Sequence, residues 1–196
     1  MKRITACLAI GVVAFLGSHF MGAACATAAE ETVEVKLSEK VSLKTPKSWK
    51  QAEATSAFRK AQFSIPPAEG DKEPAELVVF SFGNEAGGVD ANVARWIGQF
   101  EEKGREAKVT SGETATGKYV VADISGTYNM PVGPPIQRQS KAVPGSRVIN
   151  VMFSSGDEFY FLKLAGPDKT VAAQADALRA SFGGDKSKEK PYEAKK

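Results

Sequence analysis

The sequence predicts an α+β domain in which an antiparallel β-sheet carries helices on its faces. Short runs of alternating polar and apolar residues are separated by turn residues, as in antiparallel strands with short connections. Two other segments carry apolar residues three or four positions apart, as in helices with one buried face. Because that face must be covered, we expect the helices to pack on the sheet. With 196 residues, 42% of them hydrophobic, the chain is long enough for one such domain.

Residues 1–29 have the composition of a secretory signal peptide. A basic start precedes an apolar stretch that ends in small residues, so we expect cleavage near Ala28 or Ala29 and an exported protein, periplasmic or extracellular. An uncleaved transmembrane anchor is one alternative, because the apolar stretch is long enough to span a bilayer. A lipid-anchored envelope protein is another, because Gly22-Ala23-Ala24-Cys25 places small residues before a cysteine. Membrane attachment of that kind would depend on lipidation of Cys25.

Cleavage at this point would remove every cysteine and histidine. The two cysteines, Cys7 and Cys25, and the single histidine, His19, all precede Ala28. The mature chain would then lack thiolate and imidazole zinc ligands, cysteine nucleophiles and any Ser-His-Asp triad. We therefore expect no metal and no cofactor, and the inventory favours binding over catalysis.

The chain contains 26 lysine and arginine residues against 23 aspartate and glutamate residues, and the basic excess lies at its two ends. Residues 30–184, which we expect to form the single domain, are close to neutral and do not cluster cations with stacking aromatic side chains. A nucleic-acid partner is therefore not expected. Residues 185–196 are rich in lysine, and this composition predicts a disordered tail.

The first part of the domain has the pattern of strands. Apolar residues alternate within residues 33–44, which predicts a strand pair ended by Pro46. Residues 57–65 predict a further strand, closed by two prolines. Residues 77–82 form a nearly continuous apolar run, which predicts a central strand covered on both faces.

Two segments have the period of amphipathic helices. The first follows Gly87-Gly88, with Asp90 placed to cap it and Gly104 placed to end it. The second follows Gly166-Pro167-Asp168, where the proline suits a first turn. Each presents one apolar face: Val89, Val93, Trp96, Ile97 and Phe100 in the first, and Val171, Ala175, Leu178 and Phe182 in the second.

Strands return after the first helix. Residues 106–111 and 119–128 predict two strands joined by a turn at residues 112–117. That turn has the glycine and lysine spacing of a phosphate-binding loop, but Tyr119 stands where a serine or threonine is required, and a strand follows instead of a helix. We therefore reject a phosphate site there. Residues 148–154 and 159–164 flank a hairpin turn.

Prolines and glycines between residues 130 and 146 predict a long loop. Residues 130–156 include no aspartate or glutamate, but they include three cations, Arg138, Lys141 and Arg147. Such a loop is either an anion-binding or partner-binding surface or a solvated insertion, and the sequence leaves both readings open.

Five further residues are candidates for binding an anionic ligand or for a structural ion pair. Asn92 and Arg95 lie three positions apart on the first helix and could present an amide and a guanidinium side by side. The apolar period of that helix favours a purely structural role. Asp123 lies in an apolar strand and needs a partner, which Arg59, Arg95 or Lys163 could supply. Lys163 is itself unusual in an apolar strand, and a structural ion pair is favoured over a catalytic acid.

Several strings of the body resemble exported bacterial proteins without an assigned activity: Arg59 to Pro66, Ala75 to Phe80, Asn92 to Trp96, Asp123 to Tyr128 and Phe161 to Pro167. The order of elements resembles the PsbP/Mog1-like group, with Pro46 to Trp49 after an early strand, a central helix, a late hairpin and a closing helix. This resemblance implies an α/β/α sandwich around an antiparallel sheet. It carries over no catalytic residue, since a fold alone does not determine function.

These observations favour an exported, non-catalytic binding or accessory domain that acts on a partner protein, a cell-envelope component or a small anionic ligand. The alternatives are a hydrolase that works without histidine or cysteine, using carboxylates such as Asp123 with Glu158, and the lipid-anchored envelope protein. No catalytic residue or metal ligand is assigned. The candidate binding residues are Arg59, Asn92, Arg95, Asp123, Arg138, Lys141, Arg147 and Lys163.

Overall fold

The computed structural model describes residues 30–53, 56, 58–82, 87–133, 135–137, 139–156 and 158–193. The expected signal peptide with Cys25, and the candidate residue Arg138, lie outside the described residues. Within the described ranges, no helix has the length and hydropathy needed to cross a membrane.

The described residues form ten strands and three α-helices. The strands are β1 (Thr32–Lys36), β2 (Ser42–Pro46), β3 (Lys50–Ala52), β4 (Arg59–Ile65), β5 (Ala75–Ser81), β6 (Glu106–Glu113), β7 (Lys118–Val132), β8 (Gln139–Ser155), β9 (Glu158–Pro167) and β10 (Lys190–Pro191). The helices are α1 (Val89–Ile97), α2 (Asp168–Ala173) and α3 (Ala175–Ser181). An eight-stranded antiparallel sheet has the order β10-β6-β7-β8-β9-β5-β4-β3, and β1 and β2 form a separate antiparallel hairpin.

Both faces of the large sheet are buried. Side chains alternate along β7, so Val121 lies in a core shared with α2, α3 and the β1–β2 hairpin, whereas Ile124 lies in a core shared with α1. On β9, Leu162 likewise lies in the core with α2 and α3, and Phe161 lies in the core with α1. The architecture is a sheet-dominated α+β fold, as the two periodicities predict. The α/β/α sandwich that the PsbP/Mog1-like resemblance implies stays a prediction.

The helices differ in detail from their predicted limits. Helix α1 ends at Ile97, well before Gly104, and Gly88 occupies the N-cap position without a side-chain cap. Asp90 therefore does not cap the helix. The predicted closing helix consists of two short helices, α2 and α3, which meet at Gln174. The side-chain oxygen of Gln174 accepts a hydrogen bond from the Trp49 indole at 3.0 Å, so the junction is anchored to the β1–β2 side of the core.

The predicted long loop between residues 130 and 146 is instead the end of a hairpin. β7 and β8 pair from Tyr119↔Phe153 out to Val132↔Gln139, beyond the last residues paired with β6 or β9. We call residues 126–132 and 139–145 the arm. Its prolines are tolerated because a strand with one sheet neighbour needs fewer ladder hydrogen bonds. Gly145, with φ of 68°, lies at the irregularity where the register shifts.

Residues 185–193 are ordered, where the lysine-rich composition predicts disorder. Strand β10 pairs with β6, the Glu189 carboxylate accepts hydrogen bonds from Arg179, and the Tyr192 hydroxyl donates to Asp90 at 2.8 Å. Burial, followed by the bond to Asp90, raises the pKa of the Tyr192 hydroxyl, so the neutral donor persists through the neutral pH range. The prediction of a disordered tail is wrong for these residues, which we call the C-terminal strap.

Candidate binding site

A cavity of about 410 Å³ lies between α1 and the side of the sheet that faces it. Helix α1 contributes residues of its sheet-facing side, and the strands contribute residues that lie on the α1 face of the sheet. The former are Asn92, Arg95 and Trp96, and the latter are Phe80, Asn150, Phe161 and Lys163. We call this cavity the α1 cleft. Its size is within the range of pockets that enclose small organic molecules.

One wall of the α1 cleft is aromatic. Phe80 and Phe82 stack with their ring centroids 6.0 Å apart at an interplanar angle of 9°. Phe161 meets Phe82 edge to face at 5.7 Å and Trp96 at 6.4 Å. Trp96 and Phe161 are buried, whereas Phe82 keeps 43% of its surface exposed. The cleft therefore has an apolar wall that extends from the core to the solvent.

Asn150 lies in the same cleft. It follows Ile149 on β8, so it points away from the α2–α3 core, and it is only 4% exposed. Its side-chain amide nitrogen is buried and has no hydrogen-bond partner among the described residues. An unsatisfied buried donor lowers the free energy of unfolding by about 1–3 kcal/mol. A ligand with a hydrogen-bond acceptor at this position would remove that cost.

Lys163 lies directly across from Asn150 in the β8–β9 register. Its ammonium donates to the Tyr128 hydroxyl at 2.8 Å and lies 5.2 Å from the centre of the Tyr128 ring. Within the described ranges it forms no ion pair with a carboxylate. On the α1 side, Arg95 donates to the Asn92 side-chain oxygen at 2.7 Å, and Asn92 donates to the Gly88 carbonyl at 3.0 Å.

The chemistry of these groups is that of an anion receptor with an apolar wall. Arg95 and Lys163 supply two positive charges, Asn150 supplies an unused amide donor, and no aspartate or glutamate is among the described lining residues. A carboxylate or similar acceptor would gain charge-assisted hydrogen bonds there, which are roughly twice as strong as neutral ones. The attached apolar part of such a ligand would lie against the aromatic wall.

Three of the predicted binding residues, Asn92, Arg95 and Lys163, thus lie together in the α1 cleft. Arg59 lies beside it. Its guanidinium is 5.6 Å from the centre of the Phe80 ring, on the aromatic wall, and it also donates to the Gln62 side chain at 2.7 Å.

Asp123 and Arg147 lie on the opposite face of the sheet. The predicted ion pair of Asp123 exists, but its partner is Arg147, through bonds of 2.6 and 3.2 Å, and not Arg59, Arg95 or Lys163. The reason is parity: Asp123 follows Val121 on the α2–α3 face, whereas Lys163 points toward α1. The hydrogen bond from Arg147 to Asp123 raises the pKa of the guanidinium, so it stays charged throughout the physiological range.

Arg147 also donates to Asp168 at 3.1 Å, at the start of α2. Its charge is therefore compensated by two carboxylates, which leaves little attraction for an external anion. Its role is to connect β7, β8 and α2.

Lys141 lies on the arm, in a groove of about 650 Å³ that also contains Glu73 and Glu76. This groove is larger than the α1 cleft, but its charges are of both signs, and the described residues place no unsatisfied buried side-chain polar atom in it. Of the three cations expected on one loop, the two that the structure describes lie apart: Lys141 is on the arm, whereas Arg147 is in the sheet. Arg138 is outside the described residues.

The carboxylate pair considered for a hydrolase does not come together. Asp123 is opposite Ile149, and Glu158 is opposite Ser155, so the two lie six residues apart along β8, roughly 20 Å at about 3.3 Å per residue. The Glu158 carboxylate accepts a hydrogen bond from the Tyr160 hydroxyl. In the described part of the chain, no group of three or more carboxylate, imidazole or thiol side chains could hold a metal ion.

The sequence reasoning missed Asn150 and assigned the aromatic residues of the cleft to the core or to plain strands. A signal existed for Asn150, because an amide between Ile149 and Val151, in a strand otherwise buried on both faces, must find a partner or remain unsatisfied. Its position beside Lys163 depends on the register in which β8 pairs with β9, and no local pattern of the sequence predicts that register.

No family model matches the chain, and no curated protein matches it. Among solved structures it is similar to cyanobacterial PsbP (CyanoP) from Synechocystis, with 10% identity and a TM-score of 0.44, covering 88% of this chain and 99% of that one. It is also similar to a Pseudomonas aeruginosa protein of unknown function described as a putative regulator, with 14% identity and a TM-score of 0.42, covering 78% and 94% of the two chains. The likeness to PsbP is a loose one of overall fold, and it carries no information about ligand or partner.

Proposed function

We propose that this protein is an exported, non-catalytic binding domain that holds a small anionic ligand with an apolar body in the α1 cleft. The buried amide nitrogen of Asn150, which has no hydrogen-bond partner in the described part of the chain, is the observation that carries the proposal. A folded chain rarely retains such a group without a reason, because an apolar residue of similar size would avoid the cost.

Charge supports the same function. The cleft combines the Arg95 and Lys163 cations with an amide donor and has no described acidic lining residue, whereas the arm groove mixes Lys141 with two glutamates. Of the two cavities, the α1 cleft is therefore the better site for an anion. Its volume of about 410 Å³ fits a ligand of modest size.

The proposal is tested by titrating the protein with matched carboxylates and alcohols. Octanoate and 3-phenylpropionate are compared with octanol and 3-phenylpropanol, and amide chemical shifts are followed by ¹H–¹⁵N NMR. We expect at least one acid to change the amide chemical shifts of residues in α1, β8 and β9. Its neutral counterpart should bind at least about tenfold more weakly, because it lacks the charge-assisted bonds. Absence of binding by both acids, or shifts confined to the arm, would contradict the proposal.

A pair of lysine variants separates the α1 cleft from the arm. We expect Lys163→Met to weaken binding of the carboxylate by about tenfold, since a bond to a charged group contributes about 1.5–3 kcal/mol. Lys141→Met is the matched control, because it removes the same charge from the arm groove, and binding should stay within about twofold of wild type. A larger effect of Lys141→Met than of Lys163→Met would place the site on the arm.

Asn150→Leu should change stability and binding in opposite directions. The substitution removes the unsatisfied donor and replaces it with an apolar group of similar volume, so we expect the free energy of unfolding to rise by about 1 kcal/mol. Binding of the carboxylate should weaken by about tenfold or more, because the amide donor is lost. Urea unfolding and the NMR titration measure the two effects. If stability falls and binding is unchanged, Asn150 serves the fold and not a ligand.

A further inference from the structure

We propose that the apolar body of the ligand is an aromatic ring, so that the α1 cleft binds a small aromatic carboxylate. This inference rests on the proposed function and adds the chemical class of the ligand. It follows from the shape and exposure of the aromatic wall, which are independent of the charges around Asn150.

The aromatic rings form a continuous series from the solvent to the buried end of the cleft. Phe58 stacks on Phe82 at 5.7 Å with an interplanar angle of 30°, and Phe82 contacts both Phe80 and Phe161. Phe161 in turn contacts Trp96. Rings in contact prefer offset-stacked or edge-to-face geometry, and this series contains both, so an additional ring can join it by the same contacts.

The outer rings of the series are unusually open. Phe58 is 60% exposed and Phe82 is 43% exposed, whereas Phe161 is 8% exposed and Trp96 is 4% exposed. Isolated exposed apolar residues need no explanation, but Phe58 stacks on Phe82, which lines the cleft, and together they extend its apolar wall into the solvent. Burial of their free surface by a ligand would remove apolar area from water.

Two cations lie over ring faces beside this surface. Arg59 lies over Phe80 at 5.6 Å, and Lys163 lies over Tyr128 at 5.2 Å. A flat ring with a carboxylate at one end fits between these features. The carboxylate would reach Lys163 and the Asn150 amide, while the ring would lie along Phe82, Phe161 and Trp96.

The test compares two acids that differ only in the ring. The probes are 3-phenylpropionate and 3-cyclohexylpropionate, which share the carboxylate and the linker. The saturated ring has more apolar surface, so simple hydrophobic burial favours it slightly. We expect the phenyl acid to bind about threefold to tenfold more tightly, because aromatic pairs contribute about 0.5–1.5 kcal/mol beyond area burial.

A variant of the wall completes the test. Phe82→Leu keeps an apolar side chain at a half-exposed position, so we expect a folded protein in which the preference for the phenyl acid falls to about twofold or less. If the wild type binds the cyclohexyl acid equally well or better, the aromatic inference is overturned while the proposed function stands. An unchanged preference in Phe82→Leu also overturns it, because the ring would then lie elsewhere. If neither acid binds, the inference is overturned, and the proposed function fails with it only if octanoate does not bind either.

Discussion

Glu189→Ala should lower the free energy of unfolding by about 3–5 kcal/mol, because it leaves a buried guanidinium without its counter-charge. Arg179 and Glu189 form two hydrogen bonds, of 2.6 and 3.2 Å, and their side chains are 6% and 3% exposed. The Thr110 hydroxyl also donates to the Glu189 carboxylate, at 2.7 Å. The substitution therefore removes the acceptor of two buried donors, the Thr110 hydroxyl and the charged Arg179 guanidinium.

The effect should extend to the α1 cleft. Glu189 fixes the C-terminal strap to α3 and β6, and the strap continues to Tyr192, which donates to Asp90 on α1. Loss of the strap would remove one of the contacts that hold α1 against the sheet. We therefore expect the Glu189→Ala variant to bind the carboxylate probes more weakly, although Glu189 does not line the cleft.

Urea unfolding measures the stability loss, and Glu193→Ala is the matched control, because it removes an exposed glutamate four residues further along. Its free energy of unfolding should stay within about 0.5 kcal/mol of wild type. The double variant Arg179→Leu with Glu189→Leu should recover most of the loss, since apolar pairs often replace buried ion pairs without cost. A loss below about 1 kcal/mol for Glu189→Ala would show that the strap is not docked in solution.

The order of the fold follows from local patterns of the sequence. Alternation within residues 33–44 predicts the β1–β2 hairpin, and the helical period after residue 87 predicts α1, because burial of one face depends only on spacing along the chain. The pairing of β5 with β9 and the orientation of each helix on the sheet depend on contacts between distant residues. No local pattern encodes those.

The arm and the strap show where composition misleads. Proline and glycine predict a loop because they disfavour the interior of a sheet, but β7 and β8 extend past their neighbours, where Pro131 pairs with Ser140 without a second ladder to satisfy. Lysines predict disorder in the strap because they do not pack. The buried ion pair of Glu189 with Arg179, together with the pairing of β10 with β6, docks it all the same.

The candidate site was partly predictable for a similar reason. Residue type marks Lys163 and Arg95 as charged groups on otherwise apolar elements, and both lie in the α1 cleft. The partner of Asp123 in its ion pair was not predictable, because strand parity, which places Asp123 on the same face as Arg147 and away from Lys163, follows from register. The aromatic wall joins β5, α1 and β9, so it exists only once the chain is folded.

The turn between β6 and β7 offers the second large effect. A side chain at Gly117 would place its Cβ 1.6 Å from the Ser154 carbonyl oxygen and 2.7 Å from the carbonyl carbon. Both are backbone atoms of β8, so no rotamer change can relieve the contact. The neighbouring Lys118 is also tied to Ser154 by hydrogen bonds of 3.0 and 3.3 Å, which holds the two strands at this distance.

Gly117→Ala should therefore destabilise the protein by about 3 kcal/mol or more, at the upper end of the range for overpacked sites, because β7 and β8 must separate locally. Gly88→Ala is the control, because no atom of the described residues lies within 4 Å of its Cβ position. Glycine and alanine differ by only a few tenths of a kcal/mol to about 1 kcal/mol at a helix N-cap. Thermal and urea unfolding of the two variants measure the difference. Equal stability of the two would mean that the backbones of Gly117 and Ser154 do not approach this closely in solution.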